Sequence, residues 1–237
     1  MEAKYLLDCY TKEFETKVKS LVCPTEVILE ETYFYPTGGG QPNDEGVLKV
    51  GNKEYKVVDV KKSEDGIVHV VESEGLQIGD SVSAQIDWDR RYVHMRYHTA
   101  EHILSEIISK ETGAMVTGNQ LTTEKARVDF SLEEFDKEKM AQYIEMANEV
   151  IRKAFPVKLR LIPRDKAKED LGGKWNFLAK GFPEHIQEVR IVEIEGFEKE
   201  ACGGTHVKNT QEIGELVFVK AKSKGKNNRR IEIKLKN

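Results

Sequence analysis

Arg96-Tyr97-His98-Thr99-Ala100-Glu101-His102-Ile103-Leu104 carries two messages at once. Ile103, Leu104, Ile107 and Ile108 recur at helical spacing, which predicts an amphipathic helix ending before Gly113. His98 and His102 lie four apart and so share one face of that helix, close enough for one metal ion to take a nitrogen from each. A hundred residues on, Cys202-Gly203-Gly204-Thr205-His206 offers a thiolate and an imidazole four apart, with two glycines that let the backbone bend closely around a small target. Either pair alone is more often packing or surface. Together, His98, His102, Cys202 and His206 form a four-ligand set suited to zinc. His94 lies one turn earlier and is expected as an ordinary polar residue at or before the helix start, since four ligands exist without it. Cys9 and Cys23 have no neighbouring His or Cys and read as small packing residues.

A second motif overlaps the first. His98-x-x-Glu101-His102 fits the H-x-x-E-H pattern of inverted zinc peptidases, in which the Glu is the general base. Such sites take a carboxylate as third ligand and keep a position open for water. Here the strongest distal partner is a Cys-His pair, which argues against the peptidase.

The chain has 237 residues, 39% apolar and 33% charged, enough for one large domain or two modest ones with a substantial core. No apolar run approaches membrane-spanning length. The N-terminus lacks a secretory pattern and the three cysteines lack framework spacing, so a reducing cytoplasm is expected. The net charge of −4 is unevenly distributed: residues 1–88 carry −8 and residues 89–237 carry +4. Lys220–Asn237 alone carries +7, either a solvated terminal hairpin or a local phosphate-backbone contact.

The expected fold class is α+β, with a small N-terminal β-barrel over residues 1–88 and an α+β domain with an antiparallel sheet over residues 89–237. Glu26–Tyr35, Gly46–Val50, Tyr55–Lys62, Ile67–Glu72 and Ser81–Asp87 read as strands separated by turn formers. Lys12–Lys19 reads as a short helix. Asp87-Trp88-Asp89-Arg90-Arg91 marks the junction, where strand periodicity gives way to helical. Beyond the metal helix, Arg127–Phe130 reads as a strand. Ser131 (with Glu134, as a capping box) or Asp136 starts a helix to about Ala154. Val157–Leu161 and Val189–Glu195 read as strands, Asp165–Pro183 as loop-rich with one helical turn, and Glu215–Ser223 with Arg229–Leu235 as a closing hairpin. Within the barrel, Gly38-Gly39-Gly40-Gln41-Pro42 is a loop whose backbone can approach a ligand; it lacks the Gly-Lys-Ser/Thr ending of a phosphate loop.

Arg96–His102 and Cys202–His206 together resemble the editing site of alanyl-tRNA synthetases, and Gly38–Pro42 and Trp88-Asp89-Arg90-Arg91 are similar to the same family. A free-standing chain of this organisation resembles the medium-length alanyl-tRNA editing proteins of the AlaX family. The resemblance implies a zinc-dependent hydrolase that acts in trans on tRNA(Ala) mischarged with serine, and also with glycine, cleaving the ester at the 3′-terminal adenosine. On that view Gly38, Gly39, Gly40 and Gln41 wall the site, and the basic tail, with Arg229 and Arg230, contacts the acceptor stem. Thr99 offers a hydroxyl on the metal helix to position substrate. The catalytic Gln that many such editing domains carry about twenty residues after the first His falls here on Gly118, and Gln120 is expected to take its role. Selecting serine requires polar groups near the metal, expected from Thr99, Gln120, Gln41 and Thr205. Three other readings are the peptidase, a zinc-stapled RNA-binding module without catalysis, and editing of seryl-tRNA(Thr).

Overall fold

A computed structural model describes residues 2–134, 136–175 and 187–236. After β1 (Glu2–Ala3) come β2 (Glu13–Cys23), β3 (Glu26–Leu29), β4 (Glu31–Thr32), β5 (Gly46–Val50), β6 (Lys53–Ser63), β7 (Gly66–Val71) and β8 (Ser81–Ile86). Strands β2, β3, β7, β6, β5 and β8 close into a barrel in that order, and Val18, Leu29, Leu48, Val57, Val60 and Val82 fill its core. The expected helix at Lys12–Lys19 is instead the first half of β2. Phe14, Thr16 and Val18 point inward while Glu13, Glu15 and Lys17 are exposed, a period of two rather than 3.6. The run Glu26–Tyr35 breaks after β3, and β4 pairs in parallel with β1 outside the barrel.

Asp87 then caps α1 (Trp88–Thr112), its carboxylate accepting from Arg90 N at 3.1 Å, and Gly113 at φ 72° ends it. The fold continues through β9 (Val116–Leu121), β10 (Ala126–Phe130), α2 (Lys137–Arg152), β11 (Val157–Pro163), α3 (Arg164–Leu171), β12 (Glu188–Ile194), β13 (Glu198–Ala201), β14 (Leu216–Gly225) and β15 (Asn228–Leu235). One antiparallel sheet runs β14-β15-β10-β9 and another β11-β12-β13. The protein is thus α+β, with a closed six-stranded barrel and antiparallel sheets. Helix α1 is the centre of the second core: Met95, Ala100, Ile103, Leu104 and Ile108 pack against α2 and the four-stranded sheet. No helix among the described residues is long and apolar enough to cross a membrane.

Three local expectations change. Asp136 caps α2 by accepting from Glu138 N at 2.8 Å, whereas the Ser131 hydroxyl accepts from Met115 N, so the capping box at Ser131 does not form. Helix α3 makes two turns where one was expected; residues 176–183 of that stretch lie outside the described residues. Cys9 is buried in the second core, but Cys23 is exposed at the end of β2 and packs against no core.

Barrel and helix are locked together at the junction. Arg91 and Asp44 are both fully buried, with Arg91 Nε donating to Asp44 Oδ1 at 2.9 Å and Nη2 to Oδ2. Arg91 Nη1 also donates to Cys9 O at 2.9 Å, so the guanidinium ties the N-terminal segment, the loop after the glycines and α1 into one unit.

Candidate metal centre

His98 and His102 stand one turn apart on α1 with ring centroids 5.4 Å apart, and the His206 ring lies 4.4 Å from the first and 4.7 Å from the second. Cys202 Sγ is 3.4 Å from both His98 Nε2 and His206 Nε2. One donor atom from each of the four residues lies within 4.8 Å of all the others, a group that could hold a single metal ion.

The outer nitrogen of each ring is already taken. His98 Nδ1 donates to Gln41 Oε1 at 2.8 Å. His206 Nδ1 donates to Thr99 Oγ1 at 3.1 Å; that hydroxyl donates onward to Met95 O at 3.0 Å and accepts from Val207 N at 3.2 Å. His102 Nδ1 faces Glu198 Oε2 at 3.4 Å and Glu200 Oε2 at 3.5 Å. The short outer bonds of His98 and His206 orient those two rings with Nε2 turned inward, as a metal ligand requires. Burial raises the Cys202 thiol, but the surrounding His98 and His206 imidazoles outweigh it and hold the thiol well below its ordinary range. Gly204 N–H also donates to Sγ at 3.3 Å. Burial lowers His102, but Glu200, then Cys202 and Glu198, outweigh that and raise it well above the ordinary imidazole range, so a metal there displaces its proton.

The barrel supplies part of this architecture. Gly38 and Gln41 exchange both backbone hydrogen bonds at 3.0 Å, with Gly39 at φ 55° and Gly40 at φ 80° between them, the left-handed pair a type I′ turn needs. A side chain on Gly40 would meet Asn119 Oδ1 at 2.1 Å. Asn119 Nδ2 donates to Gly39 O at 3.0 Å and Leu121 N to Gly40 O at 2.8 Å, docking the turn onto β9. The turn delivers Gln41, fully buried, beneath His98. Its Oε1 also accepts from Thr205 N at 3.0 Å while its Nε2 donates to Thr205 Oγ1 at 2.8 Å, so one amide braces ligands from both halves of the chain. Gly204 is held to glycine by contact: a Cβ there would lie 1.9 Å from His98 Cε1.

Residues 1–90 match the family model "tRNA synthetases class II (A)", and residues 189–232 match "Threonyl and Alanyl tRNA synthetase second additional domain". The chain is 50% identical over 236 residues to the alanyl-tRNA editing protein AlaX-M of Methanosarcina barkeri, covering 97% of both chains. The chain belongs to the alanyl-tRNA editing protein family. The AlaX-M protein of Saccharolobus solfataricus is 41% identical over 97% of both chains. The alanine–tRNA ligase of Ignicoccus hospitalis is 40% identical over 90% of this chain, which there spans 23% of the ligase.

Within this family member, the four expected metal ligands come together, and so do Gly38–Gln41 and Thr205. Thr99 is fully buried and its hydroxyl is fully engaged in holding His206. Gln120 is not brought to the cluster. Strand alternation exposes it opposite Arg127, while its neighbour Asn119 faces α1 and hydrogen-bonds Glu101. Arg230 is held bidentately by Asp129 at 2.7 Å, and Arg229 donates to Gly225 O at 2.7 Å and to Glu133 O. His94 lies inside the helix rather than at its start, because α1 begins six residues earlier; it is fully buried with no partner at either ring nitrogen. Glu101 is buried too, and that burial pushes its carboxyl up to about 7 against the pull of His98 and His102. Sequence reasoning missed Glu198 and Glu200. Their signal was the alternation Glu198-x-Glu200-x-Cys202, which sets all three on one side of an extended strand.

Proposed function

We propose that this protein is a trans-editing hydrolase that deacylates mischarged seryl-tRNA(Ala), with glycyl-tRNA(Ala) as a second substrate. One Zn2+ per chain would be held by His98, His102, Cys202 and His206. The observation that carries this reading is the convergence of three imidazoles on one thiolate, in a member of the alanyl-tRNA editing family. Two edges of the cluster can be set beside zinc geometry. Bond lengths of about 2.05 Å to nitrogen and 2.3 Å to sulfur make a tetrahedral N–S edge of about 3.6 Å, and both measured Cys202–imidazole separations are 3.4 Å. Three neutral imidazoles and one thiolate are also a soft donor set that favours zinc over hard cations.

Bound there, zinc would supply a Lewis acid beside the scissile ester. The chain's own residues do the rest. Gln41 fixes the His98 ring, Thr99 fixes His206, and the Glu198 and Glu200 carboxylates hold His102 by its longest outer contacts, 3.4 and 3.5 Å. His102 is therefore the ligand with most freedom to shift as substrate enters. The turn at Gly38–Gly40, narrow because it carries no side chains, walls the site and keeps bulky groups from it. Thr99 acts as a positioning residue, and Gln120 sits on the exposed sheet face. Lys222, Lys224 and Lys226 are exposed along the β14–β15 hairpin and contact acceptor-stem phosphates, with Arg229 and Arg230 shaping the same strand end.

The test is deacylation of purified seryl-tRNA(Ala) by zinc-replete protein, beside Cys202→Ala and alanyl-tRNA(Ala). Rapid loss of the seryl ester, a spared alanyl ester and an inactive variant are expected. No hydrolysis by folded, zinc-loaded protein that still binds tRNA would make this a zinc-stapled binding module instead.

A further inference from the structure

Arg190, on β12, is only 5% exposed, yet no carboxylate is among its hydrogen-bond partners in the described residues. A buried guanidinium is costly unless its donors are met, and here main-chain oxygens meet them. Nη1 donates to both Cys202 O and Gly204 O at 2.7 Å, and Nε donates to Leu6 O at 2.6 Å. Nη2 lies 3.6 Å from Cys9 Sγ. The backbone of the same residue adds another hold. Cys202 N donates to Arg190 O at 3.2 Å, one step beyond Ala201, the last residue of β13 paired with β12.

These contacts sort the polar groups of the Cys202 loop by side. The Cys202 and Gly204 carbonyls turn to the guanidinium, while Gly204 N–H turns to Cys202 Sγ at 3.3 Å. The peptide unit between Gly204 and Thr205 is gripped at both ends: its carbonyl by Arg190, and its N–H by Gln41 Oε1 at 3.0 Å. The C=O and N–H of a trans peptide point in opposite directions, so Arg190 and Gln41 hold this unit from opposite sides. His206 follows one residue later. The loop needs such a grip. Two consecutive glycines leave its backbone with the widest conformational choice, and Gly203 has open space where a side chain would stand.

We infer that Arg190 is a positioning residue of the metal centre, holding the Cys202–Gly204 loop so that Cys202 Sγ and His206 Nε2 stay at the separation one metal ion needs. The inference rests on the metal-binding reading above and extends it to a residue that is no ligand. Arginine suits the task by shape as well as charge. Its planar fork serves carbonyls of two chain segments at fixed angles, and charge-assisted hydrogen bonds are roughly twice as strong as neutral ones. A lysine would keep the charge but present a single point.

The experiment measures two properties of folded, full-length protein. One is zinc affinity, by competition with a chromophoric chelator. The other is the visible and near-ultraviolet spectrum of the Co2+-loaded protein, whose d–d and thiolate charge-transfer bands report the coordination geometry and the metal–sulfur bond. Arg190→Lys is expected to weaken zinc binding roughly ten-fold and Arg190→Met up to roughly a hundred-fold, both with a weakened and shifted charge-transfer band. In a Gln41→Ala background, Arg190→Lys is expected to weaken zinc at least about three-fold less than it does alone, because both residues grip one peptide unit. A purely structural role would lower the urea stability of metal-free protein and leave zinc affinity and the cobalt spectrum unchanged; that result overturns the inference. Equal losses in the two backgrounds would overturn the shared grip. Should Arg190→Met fail to fold, Arg190→Lys decides by the same two readings. Wild-type protein that binds no zinc would remove the metal reading itself, whereas tight zinc binding unaltered in the variants would remove only the role of Arg190.

Discussion

Gln41 is a single amide whose two ends serve different halves of the site. Its oxygen holds the His98 ring and the Thr205 backbone, and its nitrogen holds the Thr205 hydroxyl. Gln41→Ala should therefore weaken zinc binding roughly 10- to 100-fold without removing a ligand, measured by competition with a chromophoric chelator. Gly204→Ala should be more severe, since the added carbon would lie 1.9 Å from His98 Cε1; the same titration should find little zinc retained. In the barrel, His69 is fully buried, with Nε2 2.8 Å from the Thr32 hydroxyl and Nδ1 3.3 Å from Val27 O. Burial lowers it from 6.5 to about 4, against the small opposing effect of the Val27 carbonyl. The unfolded chain thus binds the proton first, and stability present above pH 6.5 is lost as pH falls towards 4, by up to about 3 kcal/mol. Urea unfolding of metal-free protein should show this fall, and His69→Gln should flatten it across the same window.

Among the elements, α1 carries the metal ligands and depends on its anchorage to the barrel. Asp44→Ala leaves the fully buried Arg91 guanidinium without its carboxylate, and about 3–5 kcal/mol of stability should be lost in denaturant unfolding. The hairpin of β14 and β15 is the expected RNA element. Replacing Lys222, Lys224 and Lys226 by Ala should weaken tRNA binding and reduce the slope of log affinity against log salt by about 2–3. How far each element could be read from sequence follows from how far its pattern is local. The spacing of His98, His102, Cys202 and His206, the helix stop at Gly113, and five of the six barrel strands all announce themselves within a few residues. Strand β2 did not: its inward Phe14, Thr16 and Val18 alternate with the charged Glu13, Glu15 and Lys17, and the polar Thr16 interrupts the apolar face. Gln120 lies on the exposed side of β9 and Asn119 on the side towards α1, because one residue of register reverses the face in a strand. Glu198 and the Arg91–Asp44 pair gain meaning only from partners distant in sequence.

For the whole molecule, the metal centre lies where two cores meet, one inside the barrel and one around α1. Zinc bound to the folded state should stabilise both together, by about 4 kcal/mol at a free concentration a thousand times the dissociation constant. Calorimetry should show one transition that moves down on chelation and back on zinc readdition. A transition unmoved by chelation would mean that the four ligands hold no metal in the folded protein.

The type I′ turn at Gly39-Gly40 bears on how this chemistry can be transplanted. Grafting α1 and the Cys202 loop onto another scaffold would carry all four ligands, yet leave His98 Nδ1 and Thr205 without the amide that steers them, because Gln41 arrives on a barrel loop docked against β9. The smallest portable cassette is therefore barrel and helix together, the span shared with the Ignicoccus hospitalis ligase over 90% of this chain. A designer wanting a shorter version would have to rebuild one glutamine's reach from a new direction.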